Sequence, residues 1–427
     1  MQNWSKYIKW QPKAIYFPET EVAIQQLIQD AIAQNRKVRI IGSGHSFNPL
    51  WVNQDTLISL DNYQGLIVVD QQNLQVRVKA GTKLKLLGKL LFEHGLAMEN
   101  MGDIDAQSIA GTIGTGTHGT GLDFGSISTQ VRSIKFVNGL GELVTCSTTE
   151  NVDLFRAAQV SLGALGIITE ITLQCVSAYR LELVNRKEAI QQVMDQFLER
   201  IKQNRNFEFY WFPHTETAWT KTSNVITEQA DKVGLANYLT EYFLENYVFQ
   251  VLCNAATKIP SQNARVAKIS AASIPNLRKV FHSHKIYATP RLVRFNEMEY
   301  SVPLEAHHTV LSEIRKVFKQ AKFPVHFPIE NRVVKGDDIL ISPAYRRDSA
   351  YIAVHVYHKK DFRPYFKKME AIFLAHGGRP HWGKMHTLGN RELAERYPKW
   401  TTFQTIRKQQ DPQGTFLNDY LKQIFLA

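Results

Sequence analysis

The chain is poor in cysteine, with three in 427 residues, and Cys146, Cys175 and Cys253 lie far apart. A zinc knuckle and a dithiol redox motif both require closely spaced cysteine pairs, so these spacings exclude both kinds of site. Thiols that neither bind metal nor pair with each other are usually buried and unreactive in a reducing compartment. We therefore expect three buried, inert cysteines.

The sequence also lacks a long apolar run. Nowhere do about 18 uncharged apolar residues follow one another, so no membrane-spanning helix is expected. The N-terminus reads Met-Gln-Asn-Trp-Ser-Lys, without the apolar segment or the twin arginine of an export signal. A cytoplasmic protein is the expectation.

The length of the chain predicts two or three domains, at roughly 150 residues per domain.

Acidic residues are scarce relative to basic ones: 39 against 51, which gives a net charge of +12. Between Glu245 and Glu297 there are eight basic residues and no acidic one. Such an excess favours an anionic partner. Nucleic acid is not expected, because no helix-turn-helix, zinc finger or RNA-recognition signature is present. Either residues 238–294 contact an anionic membrane surface, or an apolar helix packs there with a solvated basic face.

Hydrophobic periodicity predicts a mixed α and β chain. Helices are predicted at 21–33, 83–94, 188–203, 237–252 and, as short segments, within 400–426. Strands are predicted at 38–41, 57–60, 66–69, 74–78, 167–173, 207–212 and 351–356.

Two glycine-rich stretches stand out. The first, Gly-Ser-Gly-His-Ser at 42–46, follows a predicted strand, and its free N–H groups can converge on a phosphate. It is not a nicotinamide-dinucleotide motif, because Phe47 replaces a small residue and Pro49 replaces the start of a helix. The second stretch, 108–121, interleaves glycine with threonine. Ile109 and Ile113 argue against a flexible linker, so a ligand-binding loop is expected.

The glycine stretch at 42–46, the string that begins Gly-Asp-Ile-Asp-Ala-Gln-Ser at 102 and runs to 119, and His-Trp-Gly-Lys at 381–384 resemble the aldonolactone oxidases. This family comprises FAD-linked oxidoreductases of the vanillyl-alcohol-oxidase superfamily and includes arabinonolactone, gulonolactone and alditol oxidases. The resemblance runs from about Trp10 to the end of the chain and is weakest at 180–320.

The resemblance implies an α+β fold of two domains. A PCMH-type FAD-binding domain of two α/β subdomains is expected at 1–177. A cap domain with an antiparallel sheet and helices, which binds substrate, is expected at 178–395. The C-terminal segment, 396–427, is expected to return to the FAD-binding domain.

The resemblance also implies that FAD is attached covalently through His45, whose neutral imidazole is nucleophilic near pH 7. Gly102 stands where the family keeps a small residue over the flavin, and this leaves room for dioxygen. Several members have serine where this chain has Asp103. The implied cofactor-binding residues are Gly42, Ser43, Gly44, His45, Ser46, Gly102, Asp103, Ser108, Gly111, Thr112, Thr115, Gly116, Thr117, His118, Gly163, Gly166 and Ile168.

On the substrate side the resemblance implies Glu330, Arg332, His355 and Lys384 as catalytic residues, and no metal. Residues two apart on a strand share a face, so Glu330 and Arg332 can both reach one pocket. A cation at Lys384 would stabilise the charge that arrives with a hydride. Either His355 or Lys384 takes the substrate proton, and a structural role for His355 is the alternative.

The expected reaction is oxidation of a CH–OH group of a sugar lactone by hydride transfer to flavin N5, with dioxygen or another acceptor taking up the electrons. Two other enzyme activities remain open: oxidation of an alditol or other sugar alcohol, and dehydrogenation independent of oxygen. A basic, non-catalytic binding protein is the alternative from another class.

Overall fold

A computed structural model describes residues 1–231, 253–254, 257, 259–289, 293–321 and 323–426. The strands of the N-terminal part are β1 (Ala14–Tyr16), β2 (Val38–Ile41), β3 (Thr56–Ser59), β4 (Leu66–Asp70), β5 (Gln75–Lys79), β6 (Leu96–Ala97), β7 (Val131–Asn138), β8 (Leu143–Ser147), β9 (Gly166–Gln174) and β10 (Val176–Ser177). Its helices are α1 (Glu21–Ala33), α2 (Leu84–Glu93), α3 (Ile109–Gly114) and α4 (Val152–Ala158).

These strands form two main sheets of different kinds. The first is parallel, with the order β1-β3-β2, and the second is antiparallel, with the order β4-β5-β9-β7-β8. Helix α1 begins at the N-cap Thr20, whose hydroxyl accepts from the Ala23 amide, and it buries Ile24 and Ile28. The parallel strands β1 and β3 require a crossover connection, and α1 together with β2 supplies it.

The remaining strands form one antiparallel sheet of eight, with the order β14-β11-β13-β12-β16-β17-β15-β18. They are β11 (Arg180–Ala189), β12 (Asn206–Trp211), β13 (Thr217–Ile226), β14 (Leu277–His282), β15 (Phe295–Pro303), β16 (Ile329–Val334), β17 (Ser349–Tyr357) and β18 (Arg379–Pro380). The helices are α5 (Ile190–Asp195), α6 (Phe197–Gln203), α7 (Asn263–Ala272), α8 (Ser283–Tyr287), α9 (His307–Ala321), α10 (Arg363–Ala375), α11 (Asn390–Arg396), α12 (Trp400–Gln410) and α13 (Asp419–Phe425).

The two faces of the eight-stranded sheet differ in chemistry. On one face apolar side chains such as Phe209, Ile352 and Met298 join a core with α5, α6, α9 and α10. Because successive residues of a strand point to opposite faces, the intervening residues of β12, β15, β16 and β17 face the other way. Many of these are charged, and they are nevertheless buried. We call this the charged face of the cap sheet.

The C-terminal helices pack on the N-terminal part. Phe403 and Phe425 belong to the same hydrophobic core as Ile24 and Ile58. The side-chain amide of Asn418 donates to the carbonyls of Pro49, Leu50 and Val52. The end of the chain therefore fixes the segment that follows the first glycine stretch.

Most predicted elements are confirmed, α1 and β2 to the residue. The predicted helix at 188–203 is partly wrong, because β11 continues to Ala189, which pairs with Thr217, before two short helices begin. The predicted helix at 237–252 lies outside the described residues. All three cysteines are buried and unpaired, and burial raises the pKa of Cys146 and Cys175 to about 12. No described helix combines the length and the hydropathy needed to cross a membrane.

Candidate active site

A cleft with an empty volume of about 980 Å³ opens where β2 ends. The predicted residues in its lining are Gly42, Ser43, Gly44, His45, Ser46, Ser108, Gly111, Thr115, Gly163, Gly166 and Ile168. Residues that sequence reasoning missed also contribute, including Arg39, Asp61 and Gly81. The cleft is thus built mainly from turns whose first and last members lie more than a hundred residues apart along the chain.

The two glycine stretches touch each other in this cleft. A Cβ added to Gly42 would lie 2.7 Å from the Ser108 hydroxyl, and Gly44 adopts a φ of +67°. The Ser43 hydroxyl donates to the Ala106 carbonyl and accepts from Lys83 at 3.0 Å. Glycine is therefore favoured at 44 by backbone conformation, whereas a Cβ at 42 would require the Ser108 hydroxyl to move.

The second glycine stretch, expected to be a ligand-binding loop, is helical in part. Ile109 and Ile113 are fully buried, and their burial in the N-terminal core folds this part of the stretch into α3. The Thr112 hydroxyl donates to the Ser108 carbonyl at 2.8 Å. Six predicted cofactor residues do not appear in the cleft lining: Gly102, Asp103, Thr112, Gly116, Thr117 and His118.

His45 lies where the cleft meets the cap sheet. Its ring stacks on Trp4, with centroids 5.7 Å apart and an interplanar angle of 21°. Trp4 in turn contacts Phe295, and Phe295 contacts His355 at 4.8 Å between ring centroids. Burial, followed by the positive charges of Lys384 and Lys83, lowers the pKa of His45 to about 4. The ring is consequently neutral at pH 7.

Arg39 ties three segments together at the cleft wall. Its guanidinium donates to the carbonyls of Leu50, Leu162, Gly163 and Phe416 at 2.7–2.9 Å. Burial lowers its pKa to about 10, so the group keeps its positive charge at neutral pH. One signal was available in the sequence, since a single arginine interrupts the apolar strand Val-Arg-Ile-Ile at 38–41.

Arg332 is the centre of the first cluster on the charged face. Its Nε lies 2.7 Å from Glu208 and its Nη2 lies 2.8 Å from Asp103, and it also pairs with Glu330. The Tyr210 hydroxyl lies 2.6 Å from Glu330 and 3.1 Å from Asp103. Burial opposes the arginine's charge, but the three carboxylates raise its pKa well above the usual value. Asp103 therefore lies beside the predicted substrate residues.

A second cluster joins Lys384, Glu297 and His355. Lys384 Nζ lies 2.5 Å from Glu297, and His355 Nε2 lies 3.5 Å from Glu297 and 3.9 Å from Glu330. His355 Nδ1 lies 3.0 Å from the Pro328 carbonyl, which can only accept, so Nδ1 carries a proton. Burial raises the pKa of Glu297, but its neighbours Lys384 and His355 outweigh this and bring it to about 2.

A third cluster lies beside the second glycine stretch. His118 Nε2 lies 3.3 Å from Glu299, and its Nδ1 donates to the Gly119 carbonyl at 2.8 Å. The backbone amide of Gly383 donates to Nδ1 of His381 at 3.0 Å. Burial, more than any charge, lowers the pKa of His381 to about 3. The neutral His381 ring thus braces the turn that carries Lys384.

Within the described residues, three groups of side chains have the spacing of metal ligands: His118, Glu299 and His381; Glu297, Glu330 and His355; and Asp103, Glu208 and Glu330. In the second and third groups a cation already contacts the carboxylates, because Lys384 pairs with Glu297 and Arg332 with Glu330. In the first group, Nδ1 of His381 already accepts a hydrogen bond from the Gly383 amide.

Glu330, Arg332 and His355 lie on the charged face, and Lys384 reaches it from the turn at 381–384. Sequence reasoning missed the other polar residues of this face, Glu208, Tyr210, Glu297 and Glu299. The sequence contains a signal for these residues. In Phe-Glu-Phe at 207–209 and Glu-Met-Glu-Tyr at 297–300, the carboxylates alternate with apolar or aromatic residues. In a sheet this pattern puts every carboxylate on one face.

Comparison with known proteins agrees with this architecture. The family model for D-arabinono-1,4-lactone oxidase matches residues 171–424, and that for the FAD binding domain matches residues 12–147. The structure of a cholesterol oxidase from B. sterolicum is 20% identical and superimposes with a TM-score of 0.86, over 99% of this chain and 96% of that one. This likeness establishes the fold, that of a PCMH-type FAD-binding α+β protein.

Two relatives cover nearly the whole length. An L-gulono-1,4-lactone dehydrogenase of Mycobacterium tuberculosis is 36% identical over 423 residues, which are 99% of this chain and 98% of the relative. An L-gulonolactone oxidase of Mus musculus is 32% identical over 438 aligned positions, with 99% and 98% coverage. The chain therefore belongs to the D-arabinono-1,4-lactone oxidase family of FAD-binding oxidoreductases.

Proposed function

We propose that this protein oxidises a CH–OH group of a sugar-derived 1,4-lactone with FAD as its cofactor and passes the electrons to dioxygen or another acceptor. The observation that carries the proposal is the His355–Glu297–Lys384 cluster, which lies against the His45 end of the cleft. Relatives named as gulonolactone oxidase and dehydrogenase support the substrate class. When bound, FAD supplies the hydride acceptor.

The cleft residues suit a large, anionic cofactor. The turn at 42–46 offers backbone N–H groups, and the side chains of Arg39 and Lys83 bring positive charge to the same region. A Cβ at Gly42 would displace the Ser108 hydroxyl. We assign FAD binding to residues 1–177, substrate recognition to 178–395, and support of the cleft to 396–427.

We further propose that His45 attaches FAD covalently through a ring nitrogen. The neutral ring has the lone pair that such a bond needs. Such a bond would replace one imidazole N–H and one C–H of the flavin 8α-methyl group, and the two electrons set free would pass to the electron acceptor of the enzyme.

Acid denaturation tests the bond directly. The wild-type polypeptide should precipitate with its yellow colour, whereas His45→Ala should give a colourless pellet and a yellow supernatant. His94→Ala, at an exposed position, is the matched control and should keep its colour. A colourless wild-type pellet would overturn covalent attachment but not FAD binding.

Substrate hydroxyls are oriented by the Arg332 cluster in this proposal. The carboxylate of Glu330 accepts hydrogen bonds, while Arg332 and Tyr210 present donors on the same sheet face. These side chains come from adjacent strands, where Glu330 pairs with Tyr210 across β16 and β12. Groups held on strands keep a fixed geometry, which favours productive orientation of a ring with several hydroxyls.

His355 is the residue that we assign as the proton acceptor. Because the Pro328 carbonyl holds the proton on Nδ1, Nε2 is the ring nitrogen that can take up the substrate proton. Glu297 and Glu330 flank Nε2 and stabilise the imidazolium that forms when a substrate hydroxyl gives up its proton. Lys384, paired with Glu297 as a cation, has no acceptor to offer and instead stabilises negative charge that develops beside it.

A substrate panel separates the enzyme activities that remain open. Purified protein is assayed with 1,4-lactones and alditols, under air and with an artificial electron acceptor, while peroxide is measured. We expect turnover with lactones. Peroxide under air identifies an oxidase, and turnover only with the artificial acceptor identifies a dehydrogenase. Turnover with alditols alone would overturn the lactone assignment.

We propose the cytoplasm as the location, with membrane contact through 238–294 as the less favoured account of the basic segment. Residues 232–252, which include the predicted helix at 237–252, lie outside the described residues. Among the described basic residues, Arg278 pairs with Glu182 and Glu228, which supports a solvated, internally paired surface. Cell fractionation at low salt should recover the protein in the soluble fraction. Recovery with membranes, reversed by high salt, would establish lipid contact instead.

A further inference from the structure

The charged face continues beyond Tyr210 onto the next strands of the cap sheet. Trp219 lies directly opposite Tyr210 in the pairing of β13 with β12. Residues that lie directly opposite each other in an antiparallel pair share a face, so Trp219 belongs to the charged face. Lys221, two residues further along β13, shares this face as well, and so does Asn185, which lies opposite Lys221 on β11.

Two buried polar atoms in this extension have no hydrogen-bond partner within the part of the chain that the structure describes. They are Nε1 of Trp219, which is a donor, and Oδ1 of Asn185, which is an acceptor. Asn185 is only 6% exposed. The two residues are diagonal neighbours across β13 and β11, a separation that aromatic and long side chains can bridge.

An unpaired donor beside an unpaired acceptor suits one kind of ligand group. Most buried polar groups of a protein are hydrogen-bonded, so the exceptions call for a partner from outside the chain. A hydroxyl can accept from Trp219 Nε1 and donate to Asn185 Oδ1 at the same time. The pair is therefore chemically matched to a hydroxylated ligand.

This extension is continuous with the predicted substrate residues. The Tyr210 hydroxyl lies 2.6 Å from Glu330, and the Tyr210 ring lies 5.4 Å from that of Trp219 between centroids. Because β12 lies between β16 and β13, Trp219 is on the side of Tyr210 that faces away from Glu330. A substrate whose reacting carbon lies at His355 would thus direct its far end toward Trp219.

In a 1,4-lactone the far end is the exocyclic chain. The ring uses the first four carbons, and each further carbon of an aldonolactone is exocyclic and carries a hydroxyl. Lactones of different length therefore present the same kind of ring but different numbers of hydroxyls beyond it. A donor and an acceptor placed beyond Tyr210 would respond to the length of this chain and not to the chemistry at the ring.

We propose that Trp219 and Asn185 form a subsite for the exocyclic hydroxyls of the lactone and make the enzyme prefer lactones with a longer hydroxylated chain. Trp219 Nε1 donates to a hydroxyl of this chain, and Asn185 Oδ1 accepts from the same hydroxyl or from its neighbour. This inference rests on the proposed function and deepens it, because it names the part of the substrate that sets specificity.

The test compares wild type with Trp219→Phe, which removes the indole N–H and keeps an aromatic ring. Trp10→Phe is the matched control, because it removes an indole N–H that donates to the Asn53 carbonyl at 2.8 Å, in the N-terminal part. The probes are L-threono-1,4-lactone, which has no exocyclic carbon, L-gulono-1,4-lactone, which has two, and D-glycero-D-gulo-heptono-1,4-lactone, which has three. The quantity measured is kcat/KM, or the inhibition constant for a lactone that is not oxidised.

For Trp219→Phe we expect kcat/KM to fall about fivefold with the six-carbon lactone, as for the loss of one neutral hydrogen bond, and at least as much with the seven-carbon lactone. With the four-carbon lactone the change should be less than about twofold. Trp10→Phe should keep the wild-type preference among the three lactones. Each lactone is its own reference, because the ratio of variant to wild type is compared.

Asn185→Leu keeps the inference testable if Trp219→Phe does not fold. It removes the acceptor at similar side-chain volume, and since Oδ1 makes no hydrogen bond within the described chain, stability should stay near that of wild type. The same dependence on chain length is expected. An equal effect of Trp219→Phe on all three lactones would overturn the inference, as would the absence of any effect in both variants.

Failure of the proposed function has a different signature, since none of the lactones would then reduce the flavin. Binding is in that case followed through the visible absorbance of the oxidised flavin as each lactone is added. The affinity of wild type should still rise with the length of the exocyclic chain, and Trp219→Phe should weaken this dependence. An affinity of wild type that does not depend on chain length would overturn the subsite.

Discussion

The cofactor cleft and the charged face of the cap sheet adjoin each other but are built in opposite ways. The cleft is made of turns and backbone, with glycine where a side chain would collide with the backbone, as at Gly81. The charged face is made of side chains, and its polar groups alternate with core residues along four strands. The difference predicts that cap substitutions impair chemistry while FAD stays bound, whereas cleft substitutions release FAD.

The largest effect is expected from His355→Gln. Loss of the proton acceptor should reduce kcat about 1,000-fold, within the usual range for a general base, while the flavin spectrum and thermal stability stay near those of wild type. His358→Gln, just beyond the same strand, is the control and should retain activity. Steady-state kinetics with the most rapidly oxidised lactone measure kcat of both variants and of wild type. A fall of less than threefold would rule out His355 as the base.

The second-largest effect is expected from Lys384→Met. Removing a cation that stabilises developing charge should reduce kcat about 100-fold, and Glu297 loses its closest partner. Because Lys384 also lowers the pKa of His45, that pKa should rise in the variant. Lys367→Met, on the exposed side of α10, provides the control. Full activity of Lys384→Met in single-turnover measurements would refute the assigned role.

A smaller effect, on stability and not on chemistry, is expected from Gly81→Ala. A Cβ there would lie 2.0 Å from the Leu60 carbonyl and 2.6 Å from the Tyr63 carbonyl, so the backbone must shift. The cost should be about 2 kcal/mol in urea unfolding, with loss of FAD retention. Gly114→Ala, which also lines the cleft but meets no atom within 4 Å, should be as stable as wild type. Equal stability of the two variants would contradict the close packing.

The smallest effect is a dependence of stability on pH. Burial lowers the pKa of His307 and of His45 to about 4, while unfolded histidine titrates near 6.5. The unfolded chain therefore binds more protons between these values, and stability must fall as the pH drops from about 6.5 to 4. His307→Gln should remove on the order of 1 kcal/mol of this fall, whereas His94→Gln, at an exposed site, should not. Urea unfolding of wild type and both variants at a series of pH values measures this difference in the free energy of unfolding.

The contrast between the cleft and the charged face also explains which parts of the site could be predicted from the sequence. The cleft was predictable because its glycine turns are local patterns, and eleven predicted cofactor residues line it. The charged face was predictable only in part, because it depends on strand register. Glu297 lies opposite His355, and Tyr210 lies opposite Glu330, through pairings between segments up to 120 residues apart. Asp103 joined this cluster through tertiary packing that no local pattern encodes.

The most direct test of the account is anaerobic reduction of the bound flavin. Purified protein is mixed with L-gulono-1,4-lactone or D-arabinono-1,4-lactone without oxygen, and the visible absorbance of the flavin is followed. The account predicts that at least one 1,4-lactone bleaches the flavin rapidly in wild type and far more slowly in His355→Gln. A flavin that no 1,4-lactone reduces, in protein that retains its cofactor, would contradict it.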